Sequence, residues 1–233
     1  QSMDGRTLLW QPNDAGVWQV RIARSDDRTA GVAANTAARL LAGRAFSAII
    51  AVDENRVVIP VVAQPDDNGQ QGRLMWRLDI VDASSGQQTE LNSQAAPHLD
   101  AVTALAADAK RTKLASVDGA GRTYLWNLST LPARVAALDR SQGSPAISLA
   151  FSPDGRRLAL GTLVGRAGDR ASIELWDTSD LGRPRLLQSR QAPTDIYSCA
   201  VTNEGELAYS NGDAVYVIAA DEGRPGPALR GGA

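Results

Sequence analysis

The sequence predicts an all-β chain built from a repeated four-stranded antiparallel unit, and three observations carry that expectation. Short aliphatic runs alternate with Gly, Pro, Asp and Ser clusters along all 233 residues, as antiparallel strands and their turns do. A turn with an acidic residue recurs at Asp4-Gly5, Asp53-Glu54, Asp108-Ala109, Asp154-Gly155 and Glu204-Gly205, at spacings of 46 to 55 residues. Each turn is followed by two strands of similar pattern. A four-stranded unit repeating every ~40–50 residues is the mark of a β-propeller blade.

The clearest unit sets the template. Ile147 to Phe151 reads as a first strand closed by the Ser152-Pro153-Asp154-Gly155 turn, and Leu158 to Thr162 as a second. Ser172 to Asp177 alternates with period two as a third strand, and Arg185 to Gln188 makes a fourth. Second strands elsewhere are Thr7 to Trp10, Val57 to Ile59, Leu114 to Ser116 and Leu207 to Tyr209. Third strands are Val17 to Val20, Leu78 to Val81, Thr123 to Trp126 and Val215 to Ile218. Pro60 stands in an expected inner strand, where it deletes a ladder donor, so a bulge or shifted strand is expected there. Asp26 to Ala38 exceeds an ordinary connector and is read either as a helical turn or as a surface loop.

Phe151-Ser152-Pro153-Asp154-Gly155 with Leu175-Trp176-Asp177 resembles a WD-repeat unit, and Leu125-Trp126-Asn127 is a near match. Pro97-His98-Leu99-Asp100 resembles the Gly-His segment that opens such a unit. Val81-Asp82, Arg21-Ile22 and Ile218-Ala219 stand where that family has Trp-Asp, so the repeats are divergent. The resemblance implies blades over residues 1–44, 45–97, 98–141, 142–192 and 193–233, the first lacking its opening strand. That is nineteen strands where five full blades need twenty, and the WD-repeat family forms closed rings, so a place within a larger ring is expected. The alternative is a five-bladed ring completed by symmetry or by a partner strand. The opening Gln1-Ser2-Met3 fits either a cleaved-tag remnant or the end of a repeat. Ala228 to Gly232 reads as a strand leading into a further blade.

Composition narrows the function classes. Twenty-four basic and 26 acidic residues give a net charge of −2, without the basic excess that a nucleic-acid or acidic-membrane binder uses. Lysine occurs only at Lys110 and Lys113, and the scattered arginines read as the codon bias of a GC-rich bacterial genome. One cysteine and one histidine exclude a disulfide framework and multi-histidine or cysteine-built metal sites. No apolar run reaches the ~18 residues of a membrane span. No cofactor is expected.

Candidate residues divide into structural and partner-binding sets. Trp126 and Trp176 share a register at the end of the third strand and are expected between neighbouring blades, whereas Trp10, Trp18 and Trp76 fall outside that position. The resemblance implies that His98 hydrogen-bonds Ser116, linked in turn to Trp126 and to an Asp of the following turn. Ala120 aligns with that Asp and Asp118 lies two residues off, so the network is expected to be incomplete. Cys199 lies in an apolar first strand and reads as a small buried hydrophobe. Asp66-Asp67-Asn68-Gly69 lacks the spaced acidic series and closing glutamate of a calcium loop and reads as a solvated hairpin. No Gly-x-Ser-x-Gly or lysine-bearing phosphate loop occurs.

The function expected is a non-catalytic platform for protein partners, including the remainder of its own parent chain. In the bacterial chains that it resembles, such propellers sense or bind partners for larger proteins. The competing readings are a propeller hydrolase or lactonase, which a single histidine disfavours, and a periplasmic propeller assisting envelope assembly. A cytoplasmic location is expected, with the periplasm left open. Asp66, Asp67, Arg166, Asp169 and Arg170 lie in two long loops between second and third strands, Gln64 to Gly72 and Leu163 to Arg170, and form the expected partner surface.

Overall fold

The computed structural model describes residues 6–12, 18–24, 48–53, 55–63, 75–82, 85–92, 98–140, 144–164, 170–211 and 213–220. Their regular structure is seventeen β-strands in five antiparallel sheets. β1 (Arg6–Pro12) and β2 (Trp18–Arg24) form a hairpin. β3 (Ile50–Ala51), β4 (Arg56–Ala63), β5 (Met75–Asp82) and β6 (Gln88–Glu90) make the next sheet. β7 (Val102–Ala107), β8 (Lys113–Asp118), β9 (Thr123–Asn127) and β10 (Arg134–Ala137) follow. β11 (Ala146–Phe151), β12 (Arg157–Thr162), β13 (Ala171–Asp177) and β14 (Arg185–Ala192) form the fourth. β15 (Ser198–Val201), β16 (Leu207–Ser210) and β17 (Val215–Ile218) form the last.

Every sheet is a meander in which sequence neighbours pair. The first strands touch in series, β3 with β7, β7 with β11 and β11 with β15. Meanders stacked face to face about their first strands are the blades of a β-propeller. The expected fourth strand of the first unit, Ala228 to Gly232, Asp26 to Ala38 and Asp4-Gly5 lie outside the described residues.

The core is a series of slabs between sheets. Val58, Leu78 and Ile80 of one sheet pack with Leu114 and Trp126 of the next. Ala115, Val117 and Leu125 then face Leu158, Leu160 and Trp176. Ala159, Ile173 and Leu175 face Val201, Leu207 and Tyr209. β8, β9, β12 and β13, each lying between two slabs, are therefore buried on both faces, so β12 reads as an unbroken apolar run rather than an alternating one, whereas Val215 and Val217 of β17 are exposed.

Turn chemistry corrects the sequence alignment of the repeats. The turns between first and second strands close through Gly155 N to Ser152 O (2.9 Å), Gly205 N to Thr202 O (3.2 Å) and Arg111 N to Asp108 O (3.0 Å). Asp108 thus corresponds to Ser152 and Thr202, and Arg111, at φ 58°, occupies the left-handed position that Gly155 (69°) and Gly205 (97°) hold elsewhere. The Arg111 guanidinium compensates by donating to Ala51 O at 2.9 Å across the neighbouring blade. These turns share one rim: Asp108 packs against Gly155, and Asp154 N donates to Asn203 Oδ1 at 2.9 Å.

Pro60 causes no bulge, contrary to expectation. β4 and β5 pair without a register shift from Arg56↔Asp82 to Ala63↔Met75. Leu91 N donates to Leu78 O, so Leu78 points its backbone toward β6 and its partner Pro60 points its nitrogen away from β5. On that side β3 has already ended, its last pairs being Ile50↔Val58 and Ala51↔Val57. Among the described residues no strand pairs with β4 at Pro60 on that side, so no ladder bond is lost with the missing N–H. Register shifts fall instead between Val102 and Ala104 and between Ala146 and Ser148, the same place in two first strands, and at Leu175/Trp176 in the β13–β14 pair.

Gly161 is the tightest point between two blades. A Cβ there would lie 2.5 Å from Ile196 Cγ2 and 3.1 Å from its Cβ. Ile196 is fully buried and its backbone N donates to Thr162 O, so it cannot retreat cheaply. Gly161→Ala is expected to destabilise the fold by about 1–3 kcal/mol through overpacking, read as a lower denaturation midpoint in urea with an unchanged m-value.

Candidate functional site

The chemistry-bearing side chains gather in the second and third strands and at the shared rim. His98 enters beside the β7–β10 sheet by a single bridge, its carbonyl accepting from Trp76 N at 2.8 Å. Its ring is fully buried. Nε2 lies 2.8 Å from Ser116 Oγ, which also accepts from Trp126 Nε1 at 2.8 Å. Nδ1 faces Asp118 Oδ2 at 3.4 Å, and the ring meets Tyr124 edge-on at 4.9 Å. One proton order satisfies the set: Trp126 donates to Ser116, Ser116 to His98 Nε2, and His98 Nδ1–H to Asp118.

Asp118 therefore completes the network expected to be incomplete. Ala120 has no part in it beyond its backbone: Asp118 Oδ1 accepts from Ala120 N (3.1 Å) and Arg122 N (2.9 Å), shaping the turn, while Oδ2 is left for the imidazole. Placing the carboxylate at the strand end lets one side chain serve both. Burial works to raise the Asp118 pKa, but the hydrogen bonds from His98 and Arg122 N and the adjacent charge hold it below the ordinary carboxylate value.

Trp176 occupies the matching niche with different chemistry. Trp126 pairs with Leu114 and Trp176 with Leu158, and both indoles are buried. Leu160 stands where Ser116 does, so the Trp176 Nε1 donates instead to Glu174 Oε2 at 3.0 Å. Glu174 in turn takes Nε and Nη2 of Arg140, both at 3.0 Å, with side-chain exposures of only 5% for Arg140 and 7% for Glu174. Arg140 also donates to Gly121 O and Ser144 O, tying two blades together. Sequence reasoning missed this pair. Its signal was an acidic residue two positions before Trp176, on the same face of an otherwise apolar strand.

The rim carries a second inter-blade tie. Lys113 Nζ donates to Gly155 O (2.8 Å) and Thr178 O (2.7 Å) of the adjacent sheet. Burial lowers its pKa, against the opposing charges of Asp108, Asp154 and Asp177. Asp108 is itself buried and accepts from Thr112 N and Lys113 N, both at 2.8 Å.

Of the expected partner-binding residues, Arg170 is exposed immediately before β13. Asp66, Asp67, Arg166 and Asp169 lie outside the described residues. Cys199 is only partly buried, a correction to the expected core position. Burial nonetheless pushes its thiol up to about 11, against a Ser148 Oγ donor at 3.1 Å. Trp76 is half-buried, and the side chains of Trp10 and Trp18 are outside the described set. Among the described residues no group of three or more His, Cys, Asp or Glu converges as metal ligands, and no helix is long and apolar enough to cross a membrane.

No family model and no curated protein matches the chain. Among solved structures it is similar to the β-propeller domain of Myceliophteria thermophila Cps50 (Swd1), at 20% identity and a TM-score of 0.44. The match covers 54% of this chain and 38% of that one.

Two outcomes test the buried networks. Because the folded Asp118 pKa is depressed, its contribution is present above the unfolded value near ~4 and is lost as pH falls toward the folded pKa. The stability gap between wild type and Asp118→Asn should thus be widest near neutrality and narrow below pH ~4 in urea titrations across pH. For the ion pair, Arg140→Leu alone leaves a buried carboxylate unpaired and is expected to destabilise by about 3–5 kcal/mol. The double variant Arg140→Leu with Glu174→Leu should recover a large part of that loss, giving a strongly non-additive double-mutant cycle.

Proposed function

We propose that this protein is a non-catalytic interaction platform whose partners are proteins, serving as the sensing or partner-binding part of a larger bacterial protein or complex in the cytoplasm. The observation that carries the reading is that, among the described residues, the histidine, the cysteine and the buried carboxylates are spent on architecture. His98 has both ring nitrogens engaged and no exposed surface, and the Cys199 thiol stays protonated at neutral pH. Glu174 and Asp118 are likewise bound into inter-strand and inter-blade contacts. What remains for recognition is the polar loops, and loops on a rigid scaffold are where binding concentrates.

The five blades assigned over residues 1–44, 45–97, 98–141, 142–192 and 193–233 are read as part of a larger ring. The partner surface is assigned to Asp66, Asp67, Arg166, Asp169 and Arg170, a mixed-charge set that needs no core role. Arginine suits such a surface because its planar fork makes several hydrogen bonds at once. Arg166→Ala with Arg170→Ala is expected to weaken binding of a verified partner at least tenfold in titration calorimetry. Thermal unfolding should stay almost unchanged, since exposed substitutions move stability within about 0.5 kcal/mol. Unaltered binding would move the surface elsewhere on the molecule.

A further inference from the structure

A different surface points to a mode of recognition that needs no loop. β10 is the outermost strand of its sheet. Leu138 N donates to Thr123 O, which fixes the phase of the β9–β10 ladder under the register Ala137↔Tyr124 and Val135↔Trp126. Residues 134, 136 and 138 therefore bond inward to β9, and Ala133, Val135 and Ala137 direct N–H and C=O outward. Ala133 already has strand-like company: its N–H donates to Leu91 O at 2.7 Å and its carbonyl accepts from Asn92 Nδ2 at 2.7 Å. The preceding blade thus begins a pairing along this edge that Val135 and Ala137 would continue.

Beside this edge, over the sheet face that carries Leu125, lies a groove of about 750 Å3, walled on the other side by the Ser179–Gly182 turn of the next sheet. That size lies within the ~300–1,000 Å3 of ligand-sized clefts. Val135 and Ala136 line it together with Lys113, Asn127, Ser129 and Arg134. Its charge is net positive, Lys113 and Arg134 against Asp180. Lys113 holds two carbonyls, whereas Arg134 is exposed and directed to no acceptor among the described residues.

We infer that the edge of β10, unpaired beyond Ala133 among the described residues, is a strand-addition site, taking an extended acidic segment of a protein partner as a fifth strand beside this groove. Main-chain hydrogen bonds to Val135 and Ala137 supply the affinity, and Arg134 selects for a carboxylate beside them. The inference does not rest on the loop surface assigned above, and either stands if the other fails.

The test uses the whole chain and capped six-residue peptides that alternate threonine or valine with glutamate. Nitrogen-15 spectra should show the Val135 and Ala137 amides shifting most and gaining protection from exchange on peptide addition. Val135→Pro removes an outward donor without removing a β9–β10 hydrogen bond, and Val135→Ala controls for the core packing that both variants lose; with the β9 amides still protected in each, only the proline variant should weaken peptide binding at least tenfold. Arg134→Glu, which leaves the backbone intact, should weaken the glutamate peptides and spare their glutamine counterparts. The inference is overturned if wild type binds no peptide at millimolar concentration, if the shifts map away from β10, or if Val135→Pro binds as tightly as wild type.

Discussion

Everything in this fold depends on the closure of one sheet face by the next sheet. Along the second and third strands β5, β8, β9, β12 and β13 no position is fully exposed, and a polar side chain there must find its partner inside the slab. Ser116, Asp118, Asp79 and Glu174 are all buried under this rule, and each is paired. Register makes the constraint sharper. Asp79, Tyr124 and Glu174 hold equivalent places, two residues before Val81, Trp126 and Trp176 respectively. One place, three side chains, and each one's bonding is fixed by what the neighbouring blade offers.

The two tryptophan niches show how the same geometry accepts different chemistry. An indole at the strand end fills the slab, but its N–H must be satisfied within reach. In one blade a serine on the facing strand does so, and the serine recruits His98 and Asp118. In the next blade leucine replaces the serine, and a glutamate on the indole's own strand takes the N–H. A lone buried glutamate would be severely destabilising, so Arg140 accompanies it with a bidentate contact from the preceding blade. The second solution is charged, and it spans two blades rather than one.

How much of this was legible follows from which interactions are local. Strand positions and the repeat could be read because period-two patterning and turn residues are properties of short segments. His98, Ser116 and Trp126 could be read because the motif is held at fixed spacing, and their bonds in the structure run between those residues. Asp118 was set aside because alignment from the tryptophan assumed a turn of standard length. Asp108 and Asp154 were matched by residue type, whereas the turn hydrogen bonds match Asp108 with Ser152. The effect of Pro60 depended on β3 ending early, a fact about a different segment. Arg140 and Glu174 lie far apart in sequence, so only the packed slab shows them as one unit.

The rim inherits its rigidity from these same slabs. Lys113 from one blade holds carbonyls on both the turn and the third-strand end of the next, and Arg111 holds Ala51 O on the other side. Asp154 N reaches Asn203 one blade further on. Each turn is thus fastened to its neighbour by a bond that does not depend on the loops beyond it. Loop sequences can then diverge without disturbing the strands, and on the function proposed above a partner would meet side chains held at fixed separations. That arrangement lowers the ordering cost of binding, which in flexible surfaces consumes a large part of the contact energy.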